Sequence, residues 1–244
     1  MATAVALLAI GAWALHARAA RPRMNTLPGT TLWAWQRPEH LSYIDTRRSA
    51  VAILVETITL GPLRLEPRTQ PMVAPPGTHY IAVIRIQAPA NSDLSGVTRA
   101  RIVQTIASYA DNPRTRAIQI DFDATVSQRD FYRALLKDLR ARMPKDMPLS
   151  ITALVSWCEG DDWISDLPVD EAVPMYFRMG LDNDNIHRSH MDVRALREPL
   201  CRTSVGVALD EPWPRFDYGV RVYAFAPAAW TESDYRRVLE RLAR

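Results

Sequence analysis

Eight short apolar segments recur after residue 30, each rich in β-branched or aromatic residues and bounded by polar sequence. Segments of this length and composition predict β-strands. They span residues 31–36, 51–59, 80–87, 117–123, 149–156, 172–178, 204–210 and 220–225. Between them, apolar residues at helical spacing predict helices at 94–109, 128–142 and 231–243, with a less regular one at 186–197. Candidate N-terminal caps of the first three are Ser92 or Asp93, Ser127 and Thr231.

Eight strands, each followed by a helix or a crossover segment, constrain the fold because they occupy about 215 residues. We predict the α/β class and a single compact, TIM-barrel-like (β/α)8 domain over residues 31–244. A doubly wound sheet is the alternative, but no glycine-rich phosphate loop follows the first strand. Residues 63–68 follow Gly61 and Pro62 and predict a hairpin return against the second strand.

Composition and charge exclude several classes of protein. With 48% hydrophobic residues, the chain is too apolar for intrinsic disorder. Its 30 basic and 27 acidic residues are interspersed, and no basic block typical of nucleic-acid binding is present. We therefore expect a globular protein without a nucleic-acid partner, and we expect it to be a monomer.

The N-terminal residues predict export. Residues 2–15 are apolar but shorter than the ~20 residues that span a bilayer, and an A-x-A pattern follows at 17–19. We assign 1–19 to a signal peptide or N-terminal anchor and 20–30 to a linker. No Lys or Arg precedes the apolar segment, so two alternatives to a cleaved signal peptide stay open: an uncleaved anchor and a buried helix. An uncleaved anchor would be the only contact of the protein with a membrane. The predicted location is periplasmic or extracellular.

The fourth predicted strand carries two different sets of side chains. Residues 118, 120 and 122 are apolar and suit the helix layer, which leaves Gln119, Asp121 and Asp123 pointing into the barrel. Buried polar groups need partners, and Arg85 on the neighbouring strand is the natural partner of Asp121. For Asp121, a structural ion pair and a catalytic role both stay open. Asp123 lies nearer the carboxyl ends of the strands, where barrel enzymes place their chemistry, and is the better catalytic candidate.

Other strand ends supply carboxylates. The seventh strand ends at Asp210, Glu211 and Pro212, which either offer a second acid or form an ordinary turn. Two carboxylates from different strands, one protonated and one acting as base or nucleophile, are what glycosidic hydrolysis requires. Glu56 lies in the middle of the second strand, where a structural pair is expected.

Aromatic and polar side chains near strand ends predict a carbohydrate-binding surface, because flat apolar rings with polar edges suit sugar stacking. A buried core position is the alternative for each aromatic residue. The predicted substrate-binding residues are Trp33, Trp35, Arg85, Gln87, Trp157, Tyr176, Arg178 and Tyr223.

Neither a disulfide nor a metal site is predicted. Cys158 follows the end of the fifth strand and Cys201 precedes the seventh, so a barrel would separate them by ~17–20 Å, beyond the ~7 Å that a disulfide allows. A bond stays open as the alternative if the chain is exported and a loop folds back. His187 and His190 lie in a polar loop with several aspartates and are read as solvated surface. No G-x-S-x-G motif is present, and no cofactor is predicted.

Six strings carry a resemblance: LWAWQRPE (32–39), QIDFDAT (119–125), PLSITALVSWC (148–158), DEAVPMYFRMG (170–180), SVGVALDEP (204–212) and RVYAFAP (221–227). They are similar to those of a bacterial family known only as domain of unknown function 3142. More distantly, IQIDFDAT (118–125) resembles the fourth-strand motif of chitinase-like family 18 glycoside hydrolases. In that motif two aspartates at alternate positions precede a catalytic glutamate. Asp121 and Asp123 match the aspartates, whereas Thr125 occupies the glutamate position.

Residues and resemblance together lead to two hypotheses. The first is an exported glycoside-hydrolase-like barrel acting on a cell-envelope or extracellular carbohydrate. In it, Asp123 is the general acid or base and Glu211 is its partner, with Asp210 as the other candidate. Asp121 and Arg85 orient Asp123. The second is a catalytically inactive barrel that binds glycans or assists envelope assembly. A cytoplasmic metabolic barrel is disfavoured by the N-terminus and by the missing phosphate loop.

Overall fold

The computed structural model describes residues 21–178 and 192–243. In these ranges the strands are β1 (Thr30–Ala34), β2 (Glu39–His40), β3 (Ser49–Leu60), β4 (Leu63–Pro67), β5 (Met72–Val73), β6 (Tyr80–Gln87), β7 (Thr115–Asp121), β8 (Leu149–Leu154), β9 (Glu171–Met175), β10 (Ser204–Ala208) and β11 (Arg221–Phe225). The helices are α1 (Arg21–Met24), α2 (Gly96–Ala110), α3 (Arg129–Arg142), α4 (Val155–Glu159) and α5 (Glu232–Leu242).

Eight of the strands form a closed parallel barrel. They are hydrogen-bonded in the order β1, β11, β10, β9, β8, β7, β6, β3, and β3 pairs again with β1. Each of the eight corresponds to one predicted strand, and the TIM-barrel-like fold is confirmed. The strand that carries the aspartates, β7, ends at Asp121, so Asp123 belongs to the loop beyond it. The predicted hairpin is also present, because β4 runs antiparallel to β3.

The ring of helices around the barrel is incomplete in the described ranges. Full helices follow β6, β7 and β11, whereas β1 and β3 are followed by short strands and turns. Helix α2 is capped by Ser95 rather than Ser92 or Asp93, and α5 begins with the predicted Thr231 cap. Most of the predicted helix at 186–197 lies outside the described residues; its described part contains a single 3-10 turn at Val193–Ala195.

Two apolar layers stabilise the fold. The larger one lies between the sheet and the helices and includes Ile118, Ile120 and Phe122. The smaller one fills the barrel interior and includes Leu54 and Val83. The apolar phase of β7 therefore faces the helices, as the alternation predicts, and its polar phase faces inward.

The segment predicted as a linker closes the amino-terminal end of the barrel. Met24 and Leu27 are buried in the interior apolar layer. The Arg221 guanidinium donates hydrogen bonds to the backbone carbonyls of Met24 at 2.6 Å, Leu27 and Pro28. From Met24 onward the segment belongs to the barrel, because its apolar side chains fill the space beneath the strands. The predicted signal peptide or anchor lies outside the described residues, within which no helix is long and apolar enough to cross a membrane.

The structure corrects the expectation that the two cysteines are far apart. Cys158 in α4 and Cys201 in the short helix Pro199–Arg202 form a disulfide, with their Cα atoms 5.9 Å apart. The segment that leads into β10 folds back against α4, where the backbone N–H groups of Arg197 and Glu198 donate to the Cys158 carbonyl at 3.0 and 3.1 Å. The prediction failed because it assumed that this segment enters β10 directly from the opposite end of the barrel.

Candidate functional site

Asp121 lies at the carboxyl end of β7 with its side chain 11% exposed. Its Oδ2 accepts a hydrogen bond from Arg85 Nη1 at 2.9 Å, and its Oδ1 accepts one from the Thr152 hydroxyl at 2.9 Å. Burial raises the pKa of Asp121; Arg85 and Thr152 oppose this rise, and the nearby charge of Asp123 adds to it. Arg85 is therefore the partner of Asp121, as predicted, and this buried carboxyl holds a proton more readily than a solvated one.

A cleft opens above this pair at the carboxyl ends of the strands. Its volume is about 340 Å³, and its lining residues are Trp35, Arg37, Arg85, Arg178, Ala226 and Pro227. The Arg85 guanidinium lies 5.6 Å from the centre of the Trp35 ring. An adjoining hollow with room for about 10 Å³ shares four of these residues and adds Phe177, Ala208, Asp210 and Phe225. The mouth of the barrel thus combines a half-buried tryptophan, arginines and a carboxylate.

Two arginines outside the predicted substrate-binding set hold the Trp35 side of the cleft. Arg37 donates to the Glu39 carboxylate at 2.9 Å and to the Ala226 carbonyl at 2.9 Å. Arg68, which follows β4, donates to the backbone carbonyls of Trp35 and Arg37. No local sequence signal identifies Arg68, because its partners lie more than 30 residues away.

Arg178 occupies a strained position at the rim. Its φ of 51° lies in the left-handed region, where a residue other than glycine is uncommon. The Glu211 carboxylate accepts the Arg178 backbone N–H at 3.2 Å, which fixes this conformation. Glu211 therefore positions Arg178, whereas its neighbour Asp210 lines the adjoining hollow itself.

Asp123 is exposed in the loop after β7, and Thr125 begins the next turn. Gln128 accepts the Thr125 backbone N–H at 2.9 Å, and the Thr125 side chain caps the turn in return. Thr125 thus has a local structural role at the position where the family 18 motif has its glutamate.

Four predicted sugar-binding aromatics are buried instead. Trp33 and Tyr223 are 1% and 0% exposed inside the barrel, and Trp157 and Tyr176 are 4% and 0% exposed in the helix-side core. This corrects their expected place on the surface of the mouth. The sequence could not separate strand ends that reach solvent from those covered by the following segment. Gln87 is exposed at the end of β6 and lies outside the cleft lining.

A chain of hydrogen bonds crosses the barrel interior below the cleft. Trp33 Nε1 donates to Gln119 Oε1 at 2.8 Å, and Gln119 Nε2 donates to the Ser150 hydroxyl at 3.0 Å. Ser150 then donates to Glu171 Oε1 at 3.0 Å, and the Tyr223 hydroxyl donates to the same oxygen. The predicted inward direction of Gln119 is explained by this chain. Glu171 was not identified from the sequence, although it directly precedes the sixth predicted strand at a position whose side chain faces the barrel interior.

Glu56 has the structural role expected of it. It is 4% exposed, and its Oε2 accepts a hydrogen bond from the Tyr109 hydroxyl of α2 at 2.7 Å. Its Oε1 is buried without a hydrogen-bond partner in the described part of the chain. This carboxylate therefore depends on Tyr109.

We expect Tyr109→Phe to lower the free energy of unfolding by about 1–3 kcal/mol, because it leaves a buried acceptor unpaired. Urea denaturation measures this change, and Tyr218→Phe, which removes a hydroxyl from a fully exposed side chain, is the control. Equal stability of the two variants would show that the hydroxyl contributes nothing to Glu56.

Within residues 21–178 and 192–243, no group of three His, Cys, Asp or Glu side chains is arranged to hold a metal ion. The histidines predicted as solvated surface, His187 and His190, lie outside these ranges.

Residues 76–176 match the family model described as "Domain of unknown function (DUF3142)". The resemblance inferred from the six strings is thereby confirmed over this part of the chain. No curated protein is detectably similar to the chain in sequence.

Solved structures with a similar fold include a putative Chitinase A from Streptomyces coelicolor, at 9% identity and a TM-score of 0.57. That match covers 88% of this chain and 95% of the other. The spore cortex-lytic enzyme SleL of Bacillus cereus matches at 16% identity and a TM-score of 0.48, over 74% of this chain and 50% of the other. The likeness to the putative chitinase shows that the two chains share a barrel fold.

Proposed function

We propose that this chain is an exported glycoside hydrolase that acts on a cell-envelope or extracellular carbohydrate at the cleft. One observation carries the proposal: Trp35 lines the cleft of about 340 Å³ at the mouth and also the small adjoining hollow whose wall includes Asp210. The aromatic face supports a sugar ring, and Asp210 supplies one of the two carboxylates that cleavage of a glycosidic bond needs.

The carboxylates divide into different roles. Asp123 is exposed in the loop after β7 and serves as general acid or base. Asp210, from the end of β10, is its partner, because Glu211 is committed to the Arg178 backbone. Asp121 is buried, paired with Arg85, and acts through position and charge on the groups around it.

Export is supported by the disulfide. Disulfides persist in oxidising compartments and are rare in reducing cytoplasm. Cys158 and Cys201 are both fully buried, so the bond is part of the core rather than an exposed redox switch. Together with the apolar residues 2–15 and the A-x-A pattern, this favours a periplasmic or extracellular protein.

Hydrolysis is tested by measuring reducing ends released from a panel of envelope and extracellular polysaccharides. Asp123→Asn and Asp210→Asn should each lower the rate by ~100-fold or more, the scale of acid–base catalysis. Asp146→Asn is the matched control, since Asp146 is exposed in the loop before β8 at the opposite end of the barrel. Release that is unaffected by both aspartate substitutions would reject the assignment.

A second candidate, a barrel that binds glycans without cleaving them, is favoured by Thr125. Its side chain caps a turn and supplies no proton donor at the family 18 glutamate position. The two candidates differ in one result. Glycan-array binding that survives Asp123→Asn, with no release from any polysaccharide by the unmodified chain, would favour the binding protein.

A further inference from the structure

The cleft differs from a neutral sugar site in its charged lining. The cleft of about 340 Å³ has three charged lining residues, and all three are arginines: Arg37, Arg85 and Arg178. A neutral glycan needs hydrogen-bond donors and acceptors in comparable number, whereas arginine offers donors alone. The lining therefore favours a ligand with acceptor-only, negatively charged groups.

The three arginines are not equally available. Arg37 is held by Glu39 and by the Ala226 carbonyl, so it is part of the wall. Arg85 uses one of its five N–H donors, at Nη1, on Asp121 among the described residues, and its side chain is one-third exposed. Arg178 is exposed, and no carboxylate in the described residues forms an ion pair with its guanidinium.

The backbone conformation of Arg178 is energetically unfavourable, and its retention is a second, independent indication of a binding site. The left-handed backbone at φ 51° is uncommon outside glycine, and the Glu211 carboxylate holds it through the Arg178 backbone N–H. The same residue lines both the cleft and the adjoining hollow. The fold therefore tolerates local backbone strain at the position that places an arginine in the same cleft as Trp35.

We propose that the cleft binds a carboxylated saccharide, in which a uronic-acid-type ring stacks on Trp35 and its carboxylate is bound by Arg178 and Arg85. The planar guanidinium fork matches a carboxylate in geometry and charge. This inference rests on the proposed carbohydrate function and adds the class of substrate to it.

The test compares trigalacturonate with its fully methyl-esterified form, which keeps the rings and removes the charge, by titration calorimetry on the full chain. We expect the acid to bind at least tenfold more tightly than the ester. Arg178→Gln should remove most of this preference, because it weakens acid binding about tenfold and ester binding by much less. Arg85 is unsuitable for the same substitution, because Asp121 would lose its ion-pair partner.

Arg101→Gln is the matched control, because Arg101 is exposed on α2. The substitution removes the same charge at a position away from the cleft. It should leave both affinities unchanged. Equal binding of acid and ester would overturn the proposal, as would an equal loss in Arg101→Gln and Arg178→Gln, which would show general attraction to a basic protein. Neutral chitotriose separates the charge preference from the carbohydrate function. If chitotriose and the ester both bind as tightly as the acid, only the charge preference is rejected. Absence of binding to all three rejects the carbohydrate function as well.

Discussion

Glu171→Ala is expected to lower the free energy of unfolding by about 3–5 kcal/mol, the scale for breaking a buried ion pair. Glu171 is 1% exposed, and its Oε2 lies 3.6 Å from Arg221 Nε. Alanine would leave the Arg221 charge without its carboxylate and would remove the acceptor shared by Ser150 and Tyr223. Urea denaturation measures the loss. Glu240→Ala, at an exposed position of α5, is the control and should change stability by less than ~0.5 kcal/mol.

The same residue predicts a pH dependence. Burial raises the pKa of Glu171, while Arg221 and the hydrogen-bonding hydroxyls oppose the rise. A carboxyl whose pKa is raised in the folded state stabilises the fold fully below its unfolded pKa, and this contribution is lost as pH rises through the folded value. The stability of the unmodified chain relative to Glu171→Gln should therefore fall from about pH 4.5 upward. A difference that stays constant from pH 4 to 8 would contradict the raised pKa.

Removing the disulfide in Cys158→Ala/Cys201→Ala is expected to cost about 4 kcal/mol. The two cysteines are 43 residues apart, and the loop-closure entropy of a cross-link over that distance gives this value. A typical domain has a total stability of only ~5–15 kcal/mol, so the loss would move the unfolding midpoint strongly. Chemical denaturation of both proteins under oxidising conditions measures it.

A reducing agent provides the internal control for the disulfide. Unfolding in its presence should bring the unmodified chain close to the double variant and leave the double variant unchanged. If the unmodified chain has two reactive thiols before reduction, or if the reductant leaves its midpoint unchanged, the cross-link does not carry the stability.

The strands and their faces could be predicted because both depend on local sequence. All eight barrel strands, the hairpin at β4 and the inward phase of Gln119 and Asp121 follow from apolar runs and two-residue alternation. The Arg85–Asp121 pair followed as well, since neighbouring parallel strands bring matching positions together.

The surface of the mouth could not be predicted in the same way. Trp33 and Trp35 are two residues apart, yet one is buried in the barrel and the other lines the cleft. Which of them meets solvent depends on the loop after β1, and that loop is fixed by Arg68 from a segment more than 30 residues later. Such contacts leave no periodic signal in the chain.

Strand propensity and alternation are properties of consecutive residues, so a parallel barrel with acidic side chains at the end of its fourth strand could be predicted from the chain alone. Three features emerge only when the chain is folded: residues from Met24 onward close the barrel, Cys158 meets Cys201, and Arg178 and Trp35 line the same cleft. These features depend on where connecting segments return to the barrel. That return is set by burial and hydrogen bonding between residues far apart in the chain.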